Sequence, residues 1–248
     1  MIRLIRAEFT KLRTTRLLYG VAAVMAAFAV LTVIAGIAYA GRDGSPSLSA
    51  DSLPMLVAAP VTLLSGAALL LGILGMAGEF RHQTVTQTFL VTPDRGRVVA
   101  AKLVAYPLAG IALALAILAF TTALATGWLA AKGITSSLAD ARLGRVLLGA
   151  VLAAGLCGLL GVGVAALVRN QVAALVGVAV WVLLIEGLLM SLLNAPSLGK
   201  WLPSAAAAAL TNPGGAQLSR LAGTLLLAGY GLVLALVGTR LVVRRDIT

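Results

Sequence analysis

The sequence predicts an all-α membrane protein with six spanning helices and both termini on the cytoplasmic side. Three observations carry that expectation. Of 248 residues, 60% are apolar and only 11% are charged, against about half and about a quarter in a soluble domain. The mean hydropathy is +1.05. Six apolar stretches each reach the roughly 20 residues that a helix needs to cross about 30 Å of hydrocarbon. A water-soluble globule of this composition would bury too much and solvate too little, and a disordered chain would be poor in apolar residues and rich in charge. Cys157 is the single cysteine, which excludes an internal disulfide and a Cys-rich metal or cluster site.

The chain opens on residues 1–16, which read as an amphipathic helix. Ile2, Ile5, Phe9 and Leu12 fall within about 80° of arc at 100° per residue, while Arg3, Thr10, Lys11 and Thr14 point elsewhere. Such a helix lies in the membrane interface with its basic side towards anionic headgroups; a plain basic flank that fixes topology is the competing reading. The spans follow at 17–40, 53–77, 103–127, 146–168, 172–193 and 221–239. Five carry no charge, and the fifth carries only Glu186. Ala38-Tyr39-Ala40 resembles a signal-peptidase site, but the apolar run before it is 24 residues, longer than the usual core of about 7–15. The first span is therefore expected to stay. Residues 1–248 read as one transmembrane domain.

Nineteen basic residues against eight acidic give a net charge of +11. On a soluble chain that would suggest nucleic acid; in a membrane protein the location of the basic residues matters first. Segments 1–16, 78–102, 169–171 and 240–248 hold 13 of them, and the alternate segments 41–52, 128–145 and 194–220 hold six. The positive-inside rule then puts both termini in the cytoplasm. The 128–145 segment, with Lys132, Arg142 and Arg145, pulls the other way.

The segment between spans two and three, 78–102, is the most informative. Thr92, Pro93 and Asp94 read as an N-cap, a first helical residue and an acid in the first turn. The third helix should then run from near Pro93 to about residue 127, roughly 50 Å at 1.5 Å per residue. Its first turns would project into the cytoplasm, and a rigid rod joined to a polar elbow can carry force from a cytoplasmic partner. An ordinary solvated loop is the plainer reading of the same composition. Before the last span, residues 194–220, with Pro196, Trp201, Pro203 and Asn212-Pro213, suggest a short helix dipping back at the outer surface.

Catalytic signatures are missing. No G-x-x-x-x-G-K-[ST] loop, H-E-x-x-H or G-x-S-x-G motif occurs, and His82 is the only histidine. Glu186, the one ionisable group within a span, is a candidate for contact with protons or a cationic substrate, or for a pair with a polar neighbour. Gly155, Gly158, Gly161 and Gly163 would let another helix approach span four closely. Pro54, Pro60 and Pro107 are expected to bend spans two and three.

Taken together, Ala7-Glu8-Phe9 and Lys11-Leu12 in an amphipathic N-terminus, six spans and the elbow resemble a bacterial type-2 ABC transporter permease subunit. The elbow is the most specific part: Glu79, Thr84, Leu90, Pro93, Arg95 and Lys102 stand where that family carries a Glu, a Thr, a Leu-x-x-Pro, an Arg and a Lys, while Gln83 replaces its usual Gly. Leu202-Pro203 resembles the start of the family's re-entrant region. The resemblance implies a six-helix half-transporter in the bacterial plasma membrane, paired with a second permease subunit in a homo- or heterodimer. It also implies a separate ABC ATP-binding subunit that holds ATP and magnesium, so this chain itself would need no cofactor and bind no nucleic acid. The elbow would be the coupling helix, with Glu79, Arg81, Thr84, Leu90, Pro93, Arg95 and Lys102 engaging the ATPase. The expected function is export of a hydrophobic or amphipathic substrate. The alternative is an ion-gradient-driven carrier using Glu186, although such carriers favour internal repeats and several intramembrane polar groups.

Overall fold

The computed structural model describes residues 1–42, 47–81, 94–193, 199–211 and 218–244. Among them the chain is helical, with no strand. Helix α1 spans Ile2–Thr14 and α2 spans Arg16–Tyr39. A single 3-10 turn, Ala50–Ser52, leads into α3 (Leu53–Ala58) and α4 (Val61–Arg81). The long α5 covers Arg95–Ala131 and α6 covers Ala141–Val168. Helix α7 (Gln171–Val180) passes through a π-helical turn at Trp181–Ile185 into α8 (Glu186–Leu193). The short α9 (Pro203–Thr211) and the final α10 (Arg220–Arg244) complete the described chain. Six helical stretches are long and apolar enough to cross a membrane: Arg16–Tyr39, Ala50–Arg81, Gly96–Ala131, Ala141–Val168, Gln171–Leu189 and Arg220–Arg240. The count and placement agree with the hydropathy reading.

Of the three prolines expected to bend spans two and three, one interrupts a helix. Pro54 sits in the first turn of α3, where its missing N–H costs nothing. Pro60 separates α3 from α4, so the second span is two helical pieces and not one bent rod. Pro107 is accommodated within α5. The start of α5 differs from the sequence reading. Its N-cap is Asp94, whose carboxylate accepts from the Arg97 backbone N–H at 3.2 Å. The helix begins at Arg95 and continues to Ala131, beyond the expected end, because nothing between 127 and 131 breaks it before Gly133 takes a positive φ of 75°. Thr92 and Pro93 lie outside the described residues.

Helix α6 is the hub, packed against α4, α5 and α10. Its glycines explain why. A Cβ on Gly161 would strike the Leu69 carbonyl of α4, one on Gly158 would come within 3.0 Å of the Tyr106 carbonyl of α5, and one on Gly163 within 3.0 Å of Ala235 N of α10. Small residues thus let three backbones close on one helix, which is how apolar helices associate where hydrophobicity cannot drive them together. All four glycines singled out in the sequence, including Gly155 against Ile111, are used inside the chain. By contrast α2 and the Gln171–Leu189 stretch are peripheral, with 17% and 11% of their apolar windows buried.

Candidate functional site

The site begins with an exception to the apolar interior. Lys102, two turns into α5, is the largest fully buried side chain among the described residues. Burying an ammonium in hydrocarbon is costly unless every donor finds a partner and the charge is matched. Both conditions are met. Lys102 Nζ donates to Glu8 Oε2 and to Glu79 Oε1 at 2.8 Å each, and to the Gly75 carbonyl at 3.1 Å. Those are its three protons. The ammonium also stands 5.7 Å from the ring centroid of Tyr106, one turn further along α5.

Two further groups complete the cluster. Lys11 Nζ donates to Glu8 Oε1 at 2.9 Å and Glu79 Oε1 at 2.7 Å, and the Tyr106 hydroxyl donates to Glu8 Oε2 at 3.4 Å. Two carboxylates and two ammoniums balance to zero. Burial works against the charge on Lys11, but its hydrogen bonds to Glu79 and Glu8 outweigh that and hold its pKa above the ordinary lysine value. Glycine is required at position 75, because a Cβ there would run into the Tyr106 ring. The cluster therefore ties α1 through Glu8 and Lys11 to the end of α4 and the start of α5, the two helices joined by the elbow.

No protein-family model matches the chain, and no curated protein is similar to it. The chemistry of the site must be read from its geometry alone. Two carboxylates held by two ammoniums fasten the three helices that carry them. Removing one partner of such a group exposes an unmatched charge, so the fastener specifies one docking of α1 strongly even where its net stabilisation is small.

The remaining expected residues divide clearly. Glu79 and Lys102 meet, as described. Arg81 ends α4 with its side chain exposed. Thr84, Leu90 and Pro93 lie outside the described residues; Arg95 opens α5, and its side chain also lies outside them. On α1, Leu12 is buried and Ile5 and Phe9 pack partly against the core, whereas Ile2 is 83% exposed. The inward face of α1 is thus Ile5, Glu8, Phe9 and Leu12, with a carboxylate in the middle of the apolar stripe.

Beside the cluster, a cavity of about 470 Å³ is lined by Lys11, Leu12, Glu79, Tyr106 and Gln171, among others. The Gln171 side-chain oxygen is buried without a partner among the described residues. Glu186 lies elsewhere. It is 4% exposed, follows the π-helical turn and accepts hydrogen bonds from Trp181 Nε1 at 2.8 Å and from Ser204 Oγ of α9. Both its oxygens are engaged, so it joins α8 to the short helix before the last span.

Sequence reasoning missed Glu8, Lys11, Gly75 and Tyr106 as members of the cluster. One signal was available: Glu8 is the only acidic residue before Asp43, within a segment of five basic ones.

Proposed function

We propose that this chain is the membrane-embedded permease subunit of an ATP-driven export system, working with a separate ABC ATP-binding subunit and a second permease subunit. Both termini then face the cytoplasm, in keeping with the 13-to-6 distribution of basic residues. Helix α1 lies at the inner interface, the segment after α4 is the coupling elbow, and α9 is the outer re-entrant piece. The substrate is hydrophobic or amphipathic, in keeping with the apolar helices, and the membrane is a bacterial plasma membrane.

The observation that carries this reading is the clasp of Glu8 by Lys102, 2.8 Å apart and both buried. It makes α1 and the two stems of the elbow one charged unit, so a push on the elbow is transmitted to α1, α4 and α5 together. An ATPase that binds the elbow differently in its two nucleotide states would shift the populations of two permease conformations. The absence of a phosphate loop in the sequence fits an energy source on another chain. Glu79→Ala and Arg81→Ala are expected to uncouple ATP turnover from transport or to release the ATPase. Unchanged assembly and transport in both variants would refute the coupling assignment.

One observation favours an ion-gradient carrier instead, namely the buried carboxylate Glu186. Its two oxygens accept from Trp181 and Ser204, which makes it a structural tie more readily than a group that loads and releases protons. Transport that persists without ATP and collapses with the proton gradient would favour that reading.

A further inference from the structure

At the end of the bundle away from the charge cluster, α5 and α6 part to leave a groove of about 680 Å³. Its walls include Leu115, Ala119, Leu148 and Val151, and its polar atoms come from Thr122 and Thr126. The two hydroxyls behave differently. Thr126 Oγ1 donates back to the Thr122 carbonyl at 2.8 Å, the usual helical arrangement, whereas Thr122 Oγ1 is shut off from solvent with no partner among the described residues. Neither hydroxyl presents a free polar atom to the groove, so its wall is apolar in effect.

The groove's length fits one leaflet. Leu115 to Thr126 is eleven residue steps along α5, about 16 Å at 1.5 Å per step, and half of the hydrocarbon core is about 15 Å. Lys102 is bound to Glu8 of α1, so this half of α5 lies in the leaflet opposite α1. Trp128, partly exposed just beyond Thr126, suits headgroup depth.

Two cations lie beyond the outer end of the groove. Lys132 caps α5, and Arg145 precedes Leu148 by three residues and so shares its face of α6. Both are exposed, and neither has a carboxylate within ion-pair distance among the described residues. Arg142, in contrast, is paired with Asp51 at 3.2 Å. These are the three basic residues that run against the overall charge asymmetry of the chain, and topology gives them no role.

We propose that this groove is a binding site for one anionic phospholipid of the membrane, its acyl chain between α5 and α6 and its phosphate against Lys132 and Arg145. An apolar chain about one leaflet long that ends in an anion is what a glycerophospholipid supplies. The site stands apart from the elbow and does not depend on the transport reading.

The test uses the full chain in nanodiscs of equal phosphatidylglycerol and phosphatidylcholine, released into native mass spectrometry to count retained lipids. Wild type should retain one phosphatidylglycerol per chain that the variants lose; counting the difference separates this site from the basic residues at the other end. Lys132→Gln and Arg145→Gln, both at exposed positions, should each lower the preference for phosphatidylglycerol about fivefold. Ala119→Phe should fill the groove and abolish retention of that lipid, and the smaller Ala119→Leu should weaken it if the phenylalanine prevents folding. Equal retention of the two lipids by wild type identifies an ordinary annular position and overturns the proposal. So does wild-type retention in folded Ala119→Phe or Ala119→Leu chains.

Discussion

Replacing Lys102 with methionine removes the charge that matches two carboxylates while nearly preserving volume. Glu8 would keep Lys11, whose side chain is 47% exposed, and the Tyr106 hydroxyl at 3.4 Å, in place of a cationic partner that is 1% exposed. The Gly75 carbonyl would lose its donor as well. Breaking a buried pair by removing one partner costs about 3–5 kcal/mol. Part of that would be relieved by swinging Glu8 out, which means detaching α1 from α4 and α5. Each 1.4 kcal/mol is a factor of about ten, so the detached population should rise by roughly two to three orders of magnitude. The assay is thiol labelling of Ile5→Cys in a Cys157→Ala background in mild detergent, because Ile5 packs against the core. Labelling should be slow with Lys102 present and fast in Lys102→Met. Adding Glu8→Gln removes the unmatched carboxylate and should restore part of the protection, a coupling of about 0.5–3 kcal/mol. Equal labelling with and without Lys102 would refute the fastener argument.

Other consequences are equally direct. Gly75→Ala drives a methyl into the Tyr106 ring and should lower thermal stability, with Tyr106→Ala in the same chain relieving the loss. Glu186→Ala strands the Trp181 indole N–H and the Ser204 hydroxyl and should cost about 1–3 kcal/mol, read as a fall in Tm, whereas Glu186→Gln keeps one acceptor and should cost less. Lys11 gains its partners on folding and its pKa lies above the ordinary 10.5. A raised folded value means that its stabilisation is fully present below the unfolded value and lost as pH rises through the folded one. The Tm gap between wild type and Lys11→Gln should therefore be constant around neutrality and close above about pH 10.5, and at the acid end only where its carboxylate partners protonate; a gap that varies across neutrality would contradict the assignment.

The six membrane-length helices were legible because a span is a one-dimensional property: length and lack of charge suffice. The break at Pro60 was half legible, since proline marks a bend in sequence but the split into α3 and α4 depends on how α3 docks. The charge cluster was largely hidden. Glu8 and Lys102 are 94 residues apart, and nothing local distinguishes a buried lysine at the start of an apolar helix from a snorkelling one. The arc formed by Ile2, Ile5, Phe9 and Leu12 pointed to the correct side of α1 but could not show that Glu8 lies within it, because a carboxylate counts as polar until its partners are known. For the same reason Glu186 stood out as a lone intramembrane acid while its partner, Ser204 on α9, carried no sign of that role.

The central claim is that an ATPase on another chain drives this one through the elbow after α4. The most direct test is to purify the tagged full chain from its host in mild detergent or nanodiscs and assay for ATP hydrolysis. The account predicts a co-purifying subunit that carries a G-x-x-x-x-G-K-[ST] loop and is lost when residues 79–92 are scrambled. A chain that repeatedly purifies alone, without ATPase activity, would contradict it.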